Sequence, residues 1–470
     1  MKKLNKIERN HILRLFYDFI NMIKNFIVLA IISIGVLITK IGLIKSILIS
    51  AILIIVIILY QFLAWRKNFF IVKINSIYHE EGVFSIKKIE IPLDRINTID
   101  ISQKLLERIF KVATIKIDTG DTNKASELKF TLDKDKTETL KNILLKNQNI
   151  TTDTSEEDNR LYYTLSPKHL LIYSLISNSL FKGLGLLFVA QQFLDDYFKA
   201  FININTSDYI NKLQKDKIYN NIKIIFFFVI ALIFISLCLS IIYNFFKYYN
   251  FKMWADEKNI YINYGVLNKK NYNFYKKKVK GIHIKQTILM QYLKFFTLEI
   301  ESIGYGDEEG EKSILYPICN ASLKNHILKN IFEEFQYTGQ INKPPKNTYF
   351  RFLYKKFILW AVTATICFFI KPKFALLSFI FLLFLFIMGH LEFKNTAFGM
   401  DKNIIYMCCH GFNKTQSLLK INAVQSMTLS YSYFQYNKGL CNYSVILYSS
   451  SFGKTLQVKN LKNNLTSGVF

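Results

Sequence analysis

Cysteine and proline are scarce in this sequence, six of each among 470 residues, and acidic residues are heavily outnumbered by basic ones. The cysteines (Cys238, Cys319, Cys367, Cys408, Cys409 and Cys441) follow no repeated spacing, which excludes a disulfide framework or a zinc ribbon as the basis of the fold. Cys408-Cys409-His410 has the composition of a metal fragment, but neighbouring residues on a strand point to opposite faces and rarely share one ion. A phosphate-binding glycine loop, a nucleophile elbow and a zinc-binding His pair are all missing. No catalytic, cofactor-binding or metal-binding residues are therefore assigned, and the chain reads as a non-enzyme. Gly304-Tyr305-Gly306-Asp307 reads as a strand-connecting loop.

What is abundant is positive charge and apolar length. There are 61 Lys+Arg against 34 Asp+Glu, a formal charge of +27, beside 51% hydrophobic residues. A surplus of this size suits a polyanion, either nucleic acid or an anionic lipid surface. A bias toward Lys, Asn, Ile and Phe, as AT-rich coding would give, accounts for part of it. No stacked aromatic platform or nucleic-acid motif appears, and the basic residues surround every apolar run, so no nucleic-acid partner is expected.

The apolar runs come in pairs, each long enough to approach the roughly 20 residues that a helix needs to cross a bilayer. The first pair is 19–39 and 43–64, the second about 170–194 and 221–246, and the third about 356–370 and 374–391. Pro372, lacking a backbone donor, breaks the third pair into two helices. No small-residue cleavage site separates the first run from the second, so no cleavable signal peptide is expected. Lys and Arg flank the outer ends of the pairs: Lys2, Lys3, Lys6, Arg9 and Arg14 before the first, Arg66 and Lys67 after it, Lys247 and Lys252 after the second, Arg351, Lys355 and Lys356 before the third. The positive-inside bias then places the N-terminus and all three soluble domains in the cytoplasm, with 195–220 as the sizeable external segment. Lys182, beside Gly183 and Gly185, is an intramembrane charge: a polar contact in a helix bundle or substrate path on one reading, a snorkelling side chain at a break in the span on the other.

Each helix pair is followed by a polar segment with strand-like alternation. Arg95–Thr119 aligns without a gap on Lys278–Ser302, matching Ile99 with Ile282, Ile101 with Ile284, Gln103 with Gln286, Leu106 with Leu289, Lys111 with Lys294, Thr114 with Thr297 and Ile117 with Ile300. The chain is thus a triplicated unit of helix pair plus small domain. Alternation at Ile96, Ile99 and Ile101, and again at Ile115 and Ile117, indicates half-buried strands, with a short helical turn or bend between Gln103 and Val112. Asp133 is expected to cap a helix through about Lys146, and Asn320 or Ser322 a comparable one carrying Leu323, Ile327 and Ile331. The boundaries expected are a first hairpin at 1–65, a first domain at 66–150, a linker at 151–168, a second hairpin at 169–247, a second domain at 248–340, a linker and third hairpin at 341–391, and a divergent third domain at 392–470 that is either incomplete or closed by a plug from elsewhere. In the third domain Val424–Leu429 takes the place of Ile96–Ile101, Tyr431 that of Gln103 and Tyr436 that of Arg108.

The run Ile91-Pro92-Leu93-Asp94-Arg95-Ile96, continued by Ile99-Asp100-Ile101, Gln103, Leu106 and Arg108, resembles the bacterial pleckstrin-homology family of membrane proteins, of the YdbS/YdbT-like type. Gly82-Val83-Phe84 and Gly265-Val266-Leu267 suit that family's hairpins, and Leu165–Leu171 its entry to a second helix pair. The resemblance implies a mixed membrane protein: six transmembrane α-helices in three hairpins, alternating with three small pleckstrin-homology β-barrels, the first two closed by a C-terminal helix. It implies residence in the bacterial plasma membrane and supplies no catalytic residue or cofactor.

Two surfaces are candidates for interaction. Pro92, Arg95, Gln103, Arg108 and Gln286 either offer directional donors to an anionic or peptide partner or simply satisfy backbone at chain bends. Lys276, Lys277, Lys278 and Lys280, with Lys269 and Lys270 nearby, either attract anionic headgroups, worth about 1 kcal/mol each near a membrane surface, or form a solvated lysine face. The expected role is a plasma-membrane scaffold or adaptor whose partners are the bilayer, anionic lipid headgroups, and a second copy or a related membrane protein, in envelope maintenance or tolerance of membrane-active agents. The competing expectation is a transporter or export component using the six helices.

Overall fold

A computed structural model describes residues 7–22, 43–96, 98–119, 127–146, 162–177, 218–302, 313–370, 372–447 and 455–463. Along the first unit, β1 (Ile7–Arg9) precedes α1 (Leu43–Lys67), a 25-residue helix with no acidic residue in its first turn and Arg66 and Lys67 in its last. Then come β2 (Phe69–Val72), β3 (Ser76–Glu81), β4 (Lys87–Pro92), a 3-10 corner at Leu93–Arg95, β5 (Thr98–Gln103), a single helical turn α2 (Leu105–Ile109), β6 (Val112–Asp118), β7 (Glu127–Asp133) and α3 (Lys134–Lys146). The second unit repeats this order. After β8 (Tyr163–Thr164), α4 (Pro167–Ile176) and α5 (Ile218–Tyr248) stand β9 (Lys252–Ala255), β10 (Asn259–Tyr264), β11 (Lys269–Tyr275), a corner at Lys276–Lys278, β12 (Val279–Gln286), α6 (Ile288–Leu293), β13 (Phe296–Ser302), β14 (Ile314–Cys319) and α7 (Ala321–Ile331). The third has the helix pair α8 (Tyr349–Ile370) and α9 (Pro372–Asn395), then β15 (Ala397–Met400), β16 (Ile404–Cys409), β17 (Lys414–Lys420), a corner at Ile421–Ala423, β18 (Val424–Ser430), α10 (Tyr433–Tyr436), β19 (Leu440–Leu447) and β20 (Thr455–Lys462).

The units are not closed barrels, which corrects that expectation. Each splits at its corner into two three-stranded meanders, and the meanders of successive units join at their edges. One seven-stranded sheet runs β7-β6-β5-β11-β10-β9-β8, so the second half of unit one continues into the first half of unit two. A six-stranded sheet, β14-β13-β12-β17-β16-β15, does the same for units two and three. The two joints share one register: Gln103 opposes Lys269 and Thr98 opposes Phe274, as Gln286 opposes Lys414 and Gly281 opposes Leu419. Within each unit the two half-sheets still enclose a core. Phe70, Ile77, Ile91, Ile99, Ile115 and Phe130 fill the first, and Phe398, Met407, Tyr443, Val445 and Val458 the third. The larger middle core takes in Ile404 and Leu418 from unit three.

Three helical stretches among the described residues are long and apolar enough to cross a membrane: Ile230–Tyr248, Lys346–Phe369 and Ser378–Asn395. The six expected spans are thus reduced to three candidates here. Most of the first expected span and of the third lie outside the described residues, as do Lys182 and most of the segment 195–220. The third unit carries all six strands of the repeat, and no closing helix follows β20 among the described residues. Segment 151–168, expected to be a linker, contributes β8 to the second unit's sheet, where Tyr163 opposes Met253.

A buried polar knot ties the N-terminal segment to unit one. Asn10 Nδ2 donates to Asn68 Oδ1 at 3.0 Å, Thr131 N donates to Asn10 Oδ1 at 2.8 Å, and His79 Nε2 lies 3.1 Å from Asn68 Oδ1. Burial holds the His79 pKa below the ordinary 6.5, more strongly than Glu81 raises it. Its proton is bound more readily in the unfolded chain, so its contribution to stability is full above about pH 6.5 and is lost as pH falls through the lowered folded value. Thermal midpoints of the full chain in detergent are expected to decline from pH 7 to 5, and His79→Gln to flatten that decline. An unchanged slope in the variant would count against His79 as the titrating group.

A membrane-facing pole and a distal lysine groove

The strand order fixes two poles on every unit. The turns before β11 and after β5 lie at one end, together with the point where the long helix enters. In unit two, Gly265 N donates to Tyr249 O and Val266 N to Phe246 O, both at 3.0 Å, pinning the β10–β11 hairpin to the end of α5. Thr287, the N-cap of α6, donates its hydroxyl to Ile176 O of α4 at 2.7 Å. In unit three, Arg351 Nη2 at the start of α8 donates to Phe434 O at 2.6 Å. The helices therefore meet the sheets at this end, which makes it the membrane pole.

The hairpin glycines earn their place here. Gly82 and Gly265 have φ of +117° and +101°, and an added Cβ would sit about 2 Å from the backbone oxygens of Ser85 and Asn268. Two residues beyond them stand Phe84 and Leu267, and Phe412 occupies the equivalent place in unit three. Phe84 stacks on Tyr60 of α1 with centroids 6.0 Å apart, and Phe412 packs on Phe384 of α9 at 4.8 Å. Tyr60 lies seven residues before the end of α1 and Phe384 eleven before the end of α9, so these rings reach roughly 10–16 Å up their helices. Phe84 is 91% exposed, an apolar ring with little protein around it. The short helices beside the hairpins extend the pattern: Leu105, Leu106, Ile109 and Phe110 in unit one, Ile288, Leu289, Tyr292 and Leu293 in unit two, and Tyr433, Phe434 and Tyr436 in unit three are all exposed. Exposed Lys104, Arg108, Lys111, Lys269, Lys294 and Lys438 surround them. An apolar patch rimmed by lysine suits the interface between acyl chains and anionic headgroups.

The residues singled out from the sequence fall into different places. Gln103 Nε2 donates to Val112 O at 2.8 Å and Gln286 Nε2 to Phe295 O at 2.9 Å, each holding its short helix against the next strand. Tyr431 does not take this part in unit three. Gln435 does, from within α10, its amide reaching Asn442 Oδ1 at 2.9 Å and Asn460 Oδ1 at 2.8 Å. Arg108 Nη1 donates to Val266 O of the next unit's hairpin, and its counterpart Gln291 donates to Gly411 O at 2.9 Å. Both clamps cross a joint between units. Pro92 ends β4 and Arg95 closes the corner, both exposed.

Lys276, Lys277 and Lys278 form the corner at the far end of β11, seven to nine residues from Lys269 and hence about 20–30 Å from the membrane pole. With Asp94, Glu257, Glu333 and Phe335 they line a groove of about 770 Å³ between units one and two. Burial lowers the pKa of Lys276, Lys278 and Lys280, against the opposing pull of Asp256 and Glu257, Asp118, and Glu301 respectively. Cys408 and Cys409 are buried in β16, and Cys409 Sγ lies 3.0 Å from His410 Nδ1. Burial pushes the Cys409 thiol up to about 12, which keeps it protonated and a poor metal ligand. The pole itself was not recognised from the sequence. Its signal was the apolar third residue of each Gly-Val-x turn, followed by an apolar cluster just past each Gln103-like position.

The profile of the bacterial PH domain matches residues 26–148 and 216–330, just over half of the chain. The UPF0699 transmembrane protein YdbT of Bacillus subtilis (strain 168) is 25% identical over 424 residues, covering 84% of this chain and 83% of that protein. No solved structure matches.

Proposed function

Because the chain belongs to the bacterial PH domain family, and carries its domains on membrane helices, we infer that it is a non-enzymatic plasma-membrane scaffold. Its PH units form one jointed arm along the cytoplasmic face of the bilayer. The observation that carries this reading is the repeated apolar pole: three equivalent hairpin residues, Phe84, Leu267 and Phe412, at the end of each unit where the helices enter, two of them packed against helix aromatics. The pole holds each unit down on lipid, and its lysine rim supplies attraction to anionic headgroups. The distal groove with Lys276, Lys277 and Lys278 is left facing the cytoplasm, where Asp94, Glu257 and Glu333 give it mixed charge suited to a protein partner rather than to lipid. Arg95 and Pro92 belong to the same distal end. Envelope maintenance or tolerance of membrane-active agents is a fitting process for such an arm. The transporter alternative depends on Lys182 and 195–220, which lie wholly or mostly outside the described residues.

The test is a pair of fluorescent labels on single cysteines, Tyr292→Cys at the pole and Lys277→Cys at the distal groove, in reconstituted vesicles. The pole label is expected to be quenched by nitroxide lipids and shielded from aqueous iodide, and the distal label to show the reverse. Equal iodide quenching at both positions would remove the basis for a bilayer-facing pole.

A further inference from the structure

The two joints between units follow one rule: the strand after the corner of a unit pairs antiparallel with the strand before the corner of the next. Among the described residues, the rule leaves two strands over. In unit one, β4 precedes the corner, and it is an edge strand among the described residues. In unit three, β18 follows the corner, and it too is an edge among the described residues. Their exposure reflects this. Lys87, Lys88, Glu90 and Pro92 of β4 and Gln425, Ser426, Thr428, Leu429 and Ser430 of β18 are exposed, whereas Phe274 and Leu419, before the corner in the joined strands, and Thr98, Ile282 and Ile284, after it, are buried.

We propose that these edges pair with each other between two copies of the chain, β18 of one copy against β4 of the next, in the register the internal joints use. The proposal deepens the scaffold reading by naming the partner. Counting from the corners, Ile86 faces Tyr431, Lys87 faces Ser430 and Ile91 faces Ser426, as Lys269 faces Gln103, Lys270 faces Ser102 and Phe274 faces Thr98 inside the chain. Pro92, which has no N–H to give, falls one residue beyond this ladder. β18 carries no charge, so Lys87, Lys88 and Glu90 meet no like charge, just as Lys269 and Lys270 meet only Gln103 and Ser102. The clamp position is also present: Tyr436, in the place of Arg108 and Gln291, is 64% exposed and brings a hydroxyl donor to where Val83 O of the next copy would stand. In this register the hairpin ends of both copies point the same way, as two chains in one membrane require. Exposed sheet edges of this kind are templates for pairing. The contact is head-to-tail, so it continues from copy to copy into a ring or a row.

Two differently tagged full-length copies, one Lys87→Cys and one Ser430→Cys, are co-expressed and oxidised in native membranes. Lys270→Cys with Ser102→Cys in a single chain serves as the internal standard, and wild type controls for the native cysteines. The proposal expects about tenfold more crosslinked heterodimer than from the out-of-register pair Lys87→Cys with Val424→Cys, because a disulfide closes only when Cα atoms lie within about 7 Å. Thr428→Pro in the Ser430→Cys copy is expected to abolish the product by removing a ladder donor. Equal yields from the two registers, with the internal standard closed, overturn the pairing. If the pole label is lipid-quenched in the same membranes, that result overturns the second copy as partner and leaves the bilayer-facing scaffold in place.

Discussion

Phe398→Ala is expected to destabilise the third unit by about 3–5 kcal/mol, the usual cost of deleting a buried aromatic ring. Phe398 is fully buried and stacks on Tyr443 with centroids 4.6 Å apart and planes 14° from parallel. It lies three residues after the end of α9, so the same residue that fills the core also sets where the membrane helix delivers the chain. Its backbone is held on both sides by Asn342, which accepts from Phe398 N at 2.9 Å and donates to Phe398 O at 2.7 Å. Removing the ring leaves Tyr443 with a void on one face while its hydroxyl remains tied to Lys462 O at 3.0 Å. The surroundings cannot close on that gap without moving β20. Phe398→Leu retains most of the volume and is expected to cost less than half as much. Limited proteolysis of the full chain in detergent reads the result. Cleavage should begin in unit three well before the first unit's core, built around Phe70 and Phe130, gives way, because the two cores share no residue. Simultaneous cleavage of all units would show that the arm unfolds as one body and that the local reading is wrong.

Much of each unit was legible because its signals are local. Asn320 or Ser322 was expected to open a helix, and it is the Asn320 side chain that accepts from Leu323 N at 2.9 Å. Pro372 was expected to separate two helices, and it begins α9 directly after α8 stops at Ile370. The bend between Gln103 and Val112 is the helical turn α2, and Gln103 serves backbone there, one of the two roles open to it. The joints were not legible. Alternation along β5 states which face is buried, but the ladder hydrogen bonds at a strand edge are made by backbone that is the same in every residue. Ile99 and Ile101 would read identically whether β5 closed its own barrel or met β11 of the next unit. Arg108 illustrates the same limit, since nothing near it in the chain identifies Val266 O, 158 residues away, as its acceptor. The third unit misled for a different reason. Its buried amide sits four residues later, at Gln435, so alignment to Gln103 found Tyr431 and suggested loss of a feature that had only moved.

The joint between units two and three provides the other large expected effect. His283 is fully buried in the middle of the six-stranded sheet, with Nδ1 2.8 Å from Ser417 Oγ on β17 and Nε2 2.9 Å from Glu301 Oε2 on β13. The carboxylate can only accept, so Nε2 carries the proton toward Glu301 and Nδ1 accepts from the Ser417 hydroxyl when the ring is neutral. One side chain thus bridges three strands and two units. His283→Leu fills a similar volume but deprives the Ser417 hydroxyl and the Glu301 carboxylate of this partner, at about 1–3 kcal/mol for each group left short, or about 2–6 kcal/mol in sum. Pairing His283→Leu with Ser417→Val removes the stranded hydroxyl as well as its acceptor, and should recover part of the loss, since replacing both partners by apolar groups is close to neutral. Ser417→Val alone should cost less than His283→Leu. Hydrogen exchange distinguishes a weakened joint from general unfolding: β12 and β17 should lose protection in His283→Leu while β5 and β11, the equivalent joint without such a histidine, keep theirs. Uniform loss of protection in both joints would mean that His283 supports the whole arm, and that the two seams do not open independently. If only the second seam opens, the two joints hold independently, and His283 ties one of them without supporting the other.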